Sequence, residues 1–251
     1  MGEGDFPAEL CLPACPLTRR FAPTSRRKRG EVNESHNEPG VITVIKVWGR
    51  NTSSNVQKVM WAIGEIGLPH QRIDIGGPFG QNRESAYLAM NPNGLVPTLE
   101  EEDGFLLWES NTVVRYLAAK HKEPMLEPTD LRKRALANKW MDWQLSVAGP
   151  AISGCFWGLV RTPPEKRDHA AIEDSKNKTT AAMTIMDQQL AKTAYLAGDE
   201  FSYGDIPVGI IAYRYRQLVP ERPALPHFER WYAAIAARKA FKDHVAAVPL
   251  T

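Results

Sequence analysis

The stretch Asn91-Pro-Asn-Gly-Leu-Val-Pro-Thr-Leu99 carries turn-forming residues directly into a short apolar strand that begins at Val96-Pro97. Further along, the chain reads Trp108-Glu109-Ser110-Asn111, where a second short strand passes into a helix. One end of a small peptide-like ligand could therefore meet backbone at Val96. The other end could meet hydroxyl, amide and carboxylate groups at Glu109 and Ser110. Together the two segments predict a peptide-binding site.

The elements before this stretch are typical of a strand-helix-strand unit. Residues 42–48 are rich in β-branched side chains and predict a mostly buried strand. A helix should follow and end at Gly67, with N-cap oxygens at Thr52, Ser53 and Ser54 and apolar positions at Val56, Val59, Met60 and Ile63. Residues 70–75 predict a second strand. It should be parallel to the first, since such crossovers share one handedness.

The elements after it complete the first half of the chain. Residues 82–90 predict a short helix, and residues 96–100 and 105–108 flank a turn in a hairpin pattern. The helix of residues 110–120 follows. The predicted order is therefore βαβ, then α, then ββα.

The second half is predicted to be helical throughout. Residues 122–130 contain prolines and charges that break every period, so we place a linker there. Beyond it, helical patterns cover residues 131–160, 164–192, 202–218 and 225–238. The fold class is α+β with two domains, the first over residues 41–121 and the second, an all-α bundle, over residues 131–251.

Composition excludes several classes of protein. A chain of 251 residues with 43% hydrophobic residues and a net charge of +2 is typical of a globular protein and gives no reason to expect a nucleic-acid partner. Residues 1–40 contain few periodic apolar positions and are expected to be a disordered extension. Their basic run, residues 26–29, fits a solvated tail better than a targeting or membrane-surface patch.

Cysteine content and the lack of long apolar runs bear on the compartment. Cys11, Cys15 and Cys155 form neither an even disulfide framework nor a metal quartet, so we expect a reducing compartment and no metal. No segment approaches the roughly 18 apolar residues that a membrane span needs. The start of the sequence also lacks the cationic region of a secretory signal. We therefore expect a cytoplasmic protein that does not associate with membranes.

Three local patterns resemble those of the cytosolic glutathione transferases, over residues 42 to about 245. Residues 91–97 are similar to the family's Asn-Pro-x-Gly-x-Val-Pro segment ahead of a cis proline, and Glu109-Ser110 to its Glu-Ser or Gln-Ser pair. Ser202-Tyr-Gly-Asp205 resembles the Ser/Thr-x-x-Asp capping box of its second domain, in which Ser202 accepts from the Asp205 amide and the Asp205 carboxylate reaches back. The resemblance implies a thioredoxin-like first domain followed by a helical bundle.

The resemblance also implies where glutathione binds. The tripeptide should meet Val96 and Pro97, with its carboxylate at Ser110 and its ammonium group at Glu109. Leu95 is a departure, because many relatives carry a lysine there that pairs with a ligand carboxylate. Candidate replacements for that lysine are Gln81, Asn82, Arg83 and Arg50.

The first turn, Gly49-Arg-Asn-Thr-Ser-Ser-Asn55, resembles the serine-type turn of the theta-like and bacterial branches. A free thiol with a pKa of about 8.5 is mostly protonated at neutral pH, and each unit of depression takes about 1.4 kcal/mol. Ser53 aligns with the activating serine, with Ser54, Thr52 and Asn55 as rivals. These side chains could instead serve only as helix caps. No cysteine lies between Asn51 and Lys58, which disfavours a mixed disulfide with the enzyme.

The pocket for the second substrate is expected between the domains. Its candidate lining residues are Trp140, Trp143, Phe156, Trp157 and Leu159, although aromatic residues at helical spacing often belong to the core. His70 and His121 are interpreted as surface residues outside the site.

The expected function is transfer of the glutathione thiolate to a hydrophobic electrophile by a cytoplasmic homodimer. Two alternatives remain open. One is a glutathione-dependent isomerase, dehalogenase or peroxidase on the same fold, and the other is a non-catalytic binding or scaffold module.

Overall fold

The computed structural model describes residues 44–251 of the chain. The predicted extension of residues 1–40, with its two cysteines and basic run, lies outside them, as do the first residues of the first predicted strand. The four strands are β1 (Ile45–Trp48), β2 (His70–Ile73), β3 (Thr98–Glu100) and β4 (Leu106–Trp108). They form a sheet in the order β2-β1-β3-β4. β1 is parallel to β2, as the crossover predicted, and the other two pairings are antiparallel.

The first half also contains three α-helices: α1 (Ser54–Ile66), α2 (Ser85–Met90) and α3 (Ser110–Lys120). α1 ends where predicted, at Gly67, which adopts the left-handed conformation with φ 77° and donates from its N–H to the Ile63 carbonyl. α1 and α3 pack side by side on the sheet. Their contact is filled by fully buried apolar side chains such as Val59, Leu99 and Val113.

The second half contains α4 (Leu131–Trp143), α5 (Gly149–Phe156), α6 (His169–Leu190), α7 (Asp205–Leu218), α8 (Pro226–Ala237) and α9 (Lys239–Phe241). The helix predicted over residues 131–160 is interrupted by the π-helical turns Gln144–Ala148 and Trp157–Arg161, each of which adds a residue to the turn. α9 and the π-helical turn after it, Lys242–Ala246, were not predicted because so short a segment shows no clear period. Within residues 44–251 no helix is long and apolar enough to cross a membrane.

α1 also packs on α7 and α9, and this contact joins the two halves. Trp61 is fully buried there, and a methyl group on Gly209 would lie 2.7 Å from its ring, so only glycine allows α7 to approach so closely. Glu65 accepts two hydrogen bonds of 2.7 Å from the Arg238 guanidinium. These contacts fix the position of the second half relative to α1 and to the turn that precedes it.

The capping box at the start of α7 does more than its sequence indicated. The Asp205 carboxylate accepts from the Ser202 N–H at 3.0 Å and from the Ser202 hydroxyl at 3.2 Å. The Ser202 oxygen itself accepts from Gly204 N–H, and the Asp205 amide donates to the Ser202 carbonyl, which corrects the predicted pairing. Asp205 also accepts from the Leu196 N–H and the Trp231 indole N–H. The carboxylate therefore joins the preceding loop, α7 and α8.

Candidate functional site

The loop before β3 presents free backbone at Val96. The Val96–Pro97 peptide bond is cis, as the resemblance implied. The Leu95 carbonyl accepts from the Tyr87 hydroxyl at 2.7 Å and from the buried Asn91 amide at 2.8 Å, which holds the loop in place. The Val96 N–H and C=O make no hydrogen bond within residues 44–251. This backbone is therefore available to a peptide-like ligand.

The start of α3 has an unusual backbone conformation. Glu109 lies at the N-cap with φ 72° and ψ 101°, a conformation that costs energy for any residue other than glycine. Its exposed carboxylate forms no ion pair in the part of the chain that the structure describes. Ser110 is buried in the first turn, and its hydroxyl has no partner among the same residues. A helix N-terminus with a free hydroxyl suits a carboxylate ligand, and the Glu109 side chain suits an ammonium group.

The sheet brings these two segments and the first turn to one end. In the β3–β4 pair, Thr98 lies opposite Trp108, so the residues before β3 and after β4 are neighbours. Gly49 follows β1, and a Cβ on it would lie 3.1 Å from the Cβ of Val96. The loop at Val96, Glu109 and the turn that begins at Gly49 therefore surround one place, although they are distant in sequence.

The first turn points its polar side chains into a cavity of about 610 Å³. Ser53 occupies the N-cap of α1 with an extended backbone, yet its hydroxyl makes no capping bond. The interpretation of Ser53 as only a cap is therefore not supported by its contacts. Thr52, Ser54 and Asn55 line the same cavity, so all four candidate activating side chains face one space.

The predicted aromatic residues separate into two places. Trp157 and Phe156 line the cavity beside the first turn. Trp140 and Trp143 do not; they line a separate cavity of about 320 Å³ against α6. Leu159 packs against the core rather than lining the cavity. The structure thus assigns only part of the predicted set to the space next to Ser53.

The four possible replacements for the missing lysine also differ. Asn82 donates to the Gly94 carbonyl at 2.7 Å and Arg83 to the Asn93 carbonyl at 3.2 Å, so both hold the loop. Gln81 is exposed, with φ 63°, and bonds to nothing through its side chain within residues 44–251. Arg50 lines the cavity and packs against the glycines after β2. Gln81 and Arg50 are therefore the side chains free to meet a ligand.

The structure also contains a buried lysine, Lys58, that the sequence did not indicate. Lys58 is 1% exposed and donates to Gln144 Oε1 at 2.7 Å, from α1 to the turn after α4. Burial lowers the pKa of Lys58 to about 7, while the nearby charge of Glu109 opposes this shift and that of Arg214 adds to it. Every residue of α1 from Val56 to Ile63 is buried, so no exposed face marked this lysine as different.

Lys58→Met should remove one source of pH dependence from stability. Between about pH 7 and its usual pKa of 10.5, Lys58 is protonated in the unfolded chain but not in the folded protein. Raising the pH across this window therefore stabilises the wild type, by up to about 1.4 kcal/mol per pH unit. Urea unfolding across the window should show a smaller rise for the variant than for the wild type. Lys178→Met, on the exposed side of α6, is the control, and equal slopes in Lys58→Met and wild type would refute the assignment.

Comparison with known proteins agrees with this geometry. A model of the glutathione S-transferase N-terminal domain matches residues 52–120, and one of the C-terminal domain matches residues 148–239. The chain is 42% identical over 203 residues to glutathione S-transferase GstB of Escherichia coli K12, covering 80% of this chain and 98% of that protein. It is 31% identical over 216 residues to glutathione S-transferase 3 of Zea mays, covering 82% of this chain and 95% of that protein.

A solved structure is also similar to this chain. The theta-class glutathione S-transferase of Xanthomonas axonopodis pv. citri, determined with glutathione bound, is 43% identical with a TM-score of 0.79. The match covers 82% of this chain and 99% of that one. The predicted two-domain fold with a thioredoxin-like first half is confirmed. The chain therefore belongs to the cytosolic glutathione S-transferase superfamily.

Proposed function

We propose that this glutathione transferase binds glutathione across the end of its sheet and activates the thiol at the first turn of α1. The main support is the position of the Ser53 hydroxyl. It faces the 610 Å³ cavity at the start of α1 and makes no capping bond. The neighbouring backbone of Val96 is also unpaired within residues 44–251. A peptide bound there places its middle residue beside the first turn.

Each part of glutathione has a partner in this arrangement. Ser110 and the amides at the start of α3 bind the γ-glutamyl carboxylate, and Glu109 binds the γ-glutamyl ammonium. Val96 pairs with the cysteinyl backbone, and Pro97 together with Leu95 holds Val96 in position. Gln81 is our choice for the glycyl end, because its exposed side chain lies on the loop after β2.

The reaction begins when the bound thiol loses its proton to solvent. The Ser53 hydroxyl donates a hydrogen bond to the thiolate, and the start of α1 adds the positive end of its dipole. Ser54, Thr52 and Asn55 are close enough in sequence to contribute. The sulfur lone pair then forms a bond to an electrophilic carbon, and the leaving group departs with its bonding electrons. The enzyme supplies deprotonation and proximity.

Ser110→Ala should weaken glutathione binding by about tenfold or more, since a hydrogen bond to a charged group contributes about 1.5–3 kcal/mol. Titration calorimetry with glutathione measures this directly. Ser146→Ala is a matched control, because Ser146 is exposed and, among the described residues, its hydroxyl bonds only to the nearby Asp142 carbonyl. An unchanged dissociation constant in Ser110→Ala would remove Ser110 from the site.

We further propose a cytoplasmic homodimer that takes part in detoxification. Exposed apolar side chains support an interface, with Leu131 75% exposed, Leu136 42% and Trp108 38%. A monomeric mass in solution at micromolar concentration would contradict the dimer. The proposed domains are residues 41–121 and 131–251, which is supported by the end of α3 at Lys120 and the start of α4 at Leu131.

A further inference from the structure

The cavity beside the first turn is unusually rich in positive charge. Three arginines line it, namely Arg50, Arg161 and Arg214. Among the described residues that line the cavity there is no aspartate or glutamate. The other lining residues are either neutral polar residues or apolar ones, and the apolar ones include Phe156 and Trp157. A cavity built only for neutral hydrophobic molecules has no use for three guanidinium groups.

Arg214 is the most buried of the three. It projects from α7, is only 9% exposed, and holds its Cζ 4.2 Å from the centre of the Phe156 ring. Its Nε is buried without a hydrogen-bond partner within residues 44–251. A buried guanidinium normally finds a carboxylate or several acceptors, because an unpaired buried charge is costly. Arg214, which lines the cavity, therefore retains unused hydrogen-bonding capacity.

The other two arginines also have no acidic side chain as a partner within residues 44–251. Arg161 holds its Cζ 5.7 Å from the Phe156 ring and donates to the backbone oxygen of Thr251 at 2.6 Å. The Nε of Arg50 is buried and unpartnered in the described part of the chain. None of the three arginines forms an ion pair with an acidic side chain of residues 44–251.

The electrostatics agree with these contacts. Burial and the charges of Arg161 and Arg50 lower the pKa of Arg214 to about 10. Burial and Arg161 also lower the pKa of Arg50. Lys58 lies behind Gln144, a lining residue, and adds a further basic group next to the wall. Groups that repel one another in a cleft are typical of a site completed by a ligand of opposite charge.

We propose that the second substrate of this enzyme is an electrophile that carries an anionic group, foremost a carboxylate. The anion binds Arg161 and Arg214, with Arg50 at the near edge, while an apolar or aromatic body packs on Phe156 and Trp157. This proposal rests on the proposed function and narrows the hydrophobic electrophile predicted from the sequence. Guanidinium groups suit carboxylates because they offer paired donors in one plane.

The anionic group takes no part in the bond changes. The glutathione sulfur bonds to the electrophilic carbon, the leaving group departs with its electron pair, and the carboxylate stays on the product. The carboxylate that binds the three arginines could also be the glycyl carboxylate of glutathione itself. The two sources are separable, because only the second substrate should still bind when the glutathione site is occupied.

The preference of the cavity for an anionic ligand can be tested directly by the binding of two unreactive compounds, one charged and one neutral. Naphthalene-2-carboxylate and naphthalene-2-carboxamide differ mainly in charge, and titration calorimetry of each is performed with the glutathione site saturated by S-methylglutathione. The carboxylate should bind at least tenfold more tightly than the amide. Arg161→Gln, at an exposed position, and Arg214→Lys should each reduce that preference at least threefold. Arg132→Gln, an exposed arginine outside the cavity, is the control and should leave the preference unchanged.

Two results would overturn the proposal. One is equal affinity for carboxylate and amide, or a preference that survives both variants. The other is loss of carboxylate binding when S-methylglutathione is present, which would assign the arginines to the glycyl carboxylate of glutathione.

Turnover separates this inference from the proposed function. With glutathione, 4-(chloromethyl)benzoate and 4-(chloromethyl)benzamide both release chloride, and each rate is corrected for the uncatalysed reaction. Catalysis of both with a carboxylate preference of tenfold or more in kcat/KM supports the inference. Catalysis without that preference overturns the inference and leaves the transferase function intact. Carboxylate binding without catalysis of either compound supports the charged pocket and counts against the proposed activation of the thiol.

Discussion

Replacing Asp205 with alanine is expected to lower the free energy of unfolding by about 3–5 kcal/mol, since removing one partner of a buried hydrogen-bonded group is among the costliest substitutions. Four donors lose their acceptor: the Leu196 and Ser202 N–H groups, the Ser202 hydroxyl and the Trp231 indole N–H. All lie in the buried core of the second half. Urea denaturation followed by far-ultraviolet circular dichroism gives the measurement.

The matched control is Asp174→Ala on α6. Asp174 is exposed, and within residues 44–251 it pairs only with Lys178 one turn along the same helix, so its loss should change stability little. Asp205→Asn keeps the size of the side chain and one acceptor oxygen, and it should fall between alanine and the wild type. If Asp205→Ala were as stable as Asp174→Ala, the role of Asp205 as the junction of α7 and α8 would be refuted.

Replacing Ser53 with alanine is expected to lower kcat by about 100-fold, the usual effect of removing one hydrogen bond to a charge that drives the reaction. Affinity for glutathione should change much less, because in the proposed complex Val96, Glu109 and Ser110 bind the rest of the tripeptide. Steady-state kinetics at saturating electrophile, together with calorimetric titration of glutathione, separates the two effects.

The neighbouring side chains provide the comparison. Ser54→Ala, Thr52→Ala and Asn55→Ala should each reduce kcat less than Ser53→Ala does, and Ser146→Ala should leave it unchanged. A full rate in Ser53→Ala combined with a large loss in one of the others would move the activating role to that residue.

The sequence predicted the loop before β3 and the end of α1 well because special backbone requires particular residues. Asn91 and Gly94 shape the loop before β3, and Gly67 ends α1 where a left-handed residue was needed. Strands and helices followed from apolar periods, with their ends displaced by a few residues. The left-handed conformation of Glu109 had no such signal, since glutamate rarely adopts it.

The second pocket was harder to predict because periodicity gives the face of a helix but not its neighbour. The π-helical turn Gln144–Ala148 adds a residue to the turn. It therefore rotates the side chains of the following helix, α5, relative to those of α4. Trp140 and Trp143 precede that turn and face α6, while Trp157 follows it and faces the first turn of α1. A uniform helix over residues 131–160 could not distinguish them.

The charged wall of the cavity depends on tertiary structure alone. Arg50, Arg161 and Arg214 come from the first turn, the end of the α5 segment and α7, so no sequence motif joins them. Lys58 is similar, because its partner Gln144 lies in the other half of the chain. Such clusters become visible only when the two halves are packed together.

The most direct test of thiol activation is a pH titration of glutathione bound to the wild type and to Ser53→Ala, followed by the ultraviolet absorbance of the thiolate. The pKa of the thiol bound to the wild type should lie at least about one unit below that of free glutathione, with a depression of that size corresponding to about 1.4 kcal/mol. In Ser53→Ala it should return toward the free value. A bound thiol that titrates like free glutathione in the wild type, or identically in the two proteins, would contradict activation by Ser53.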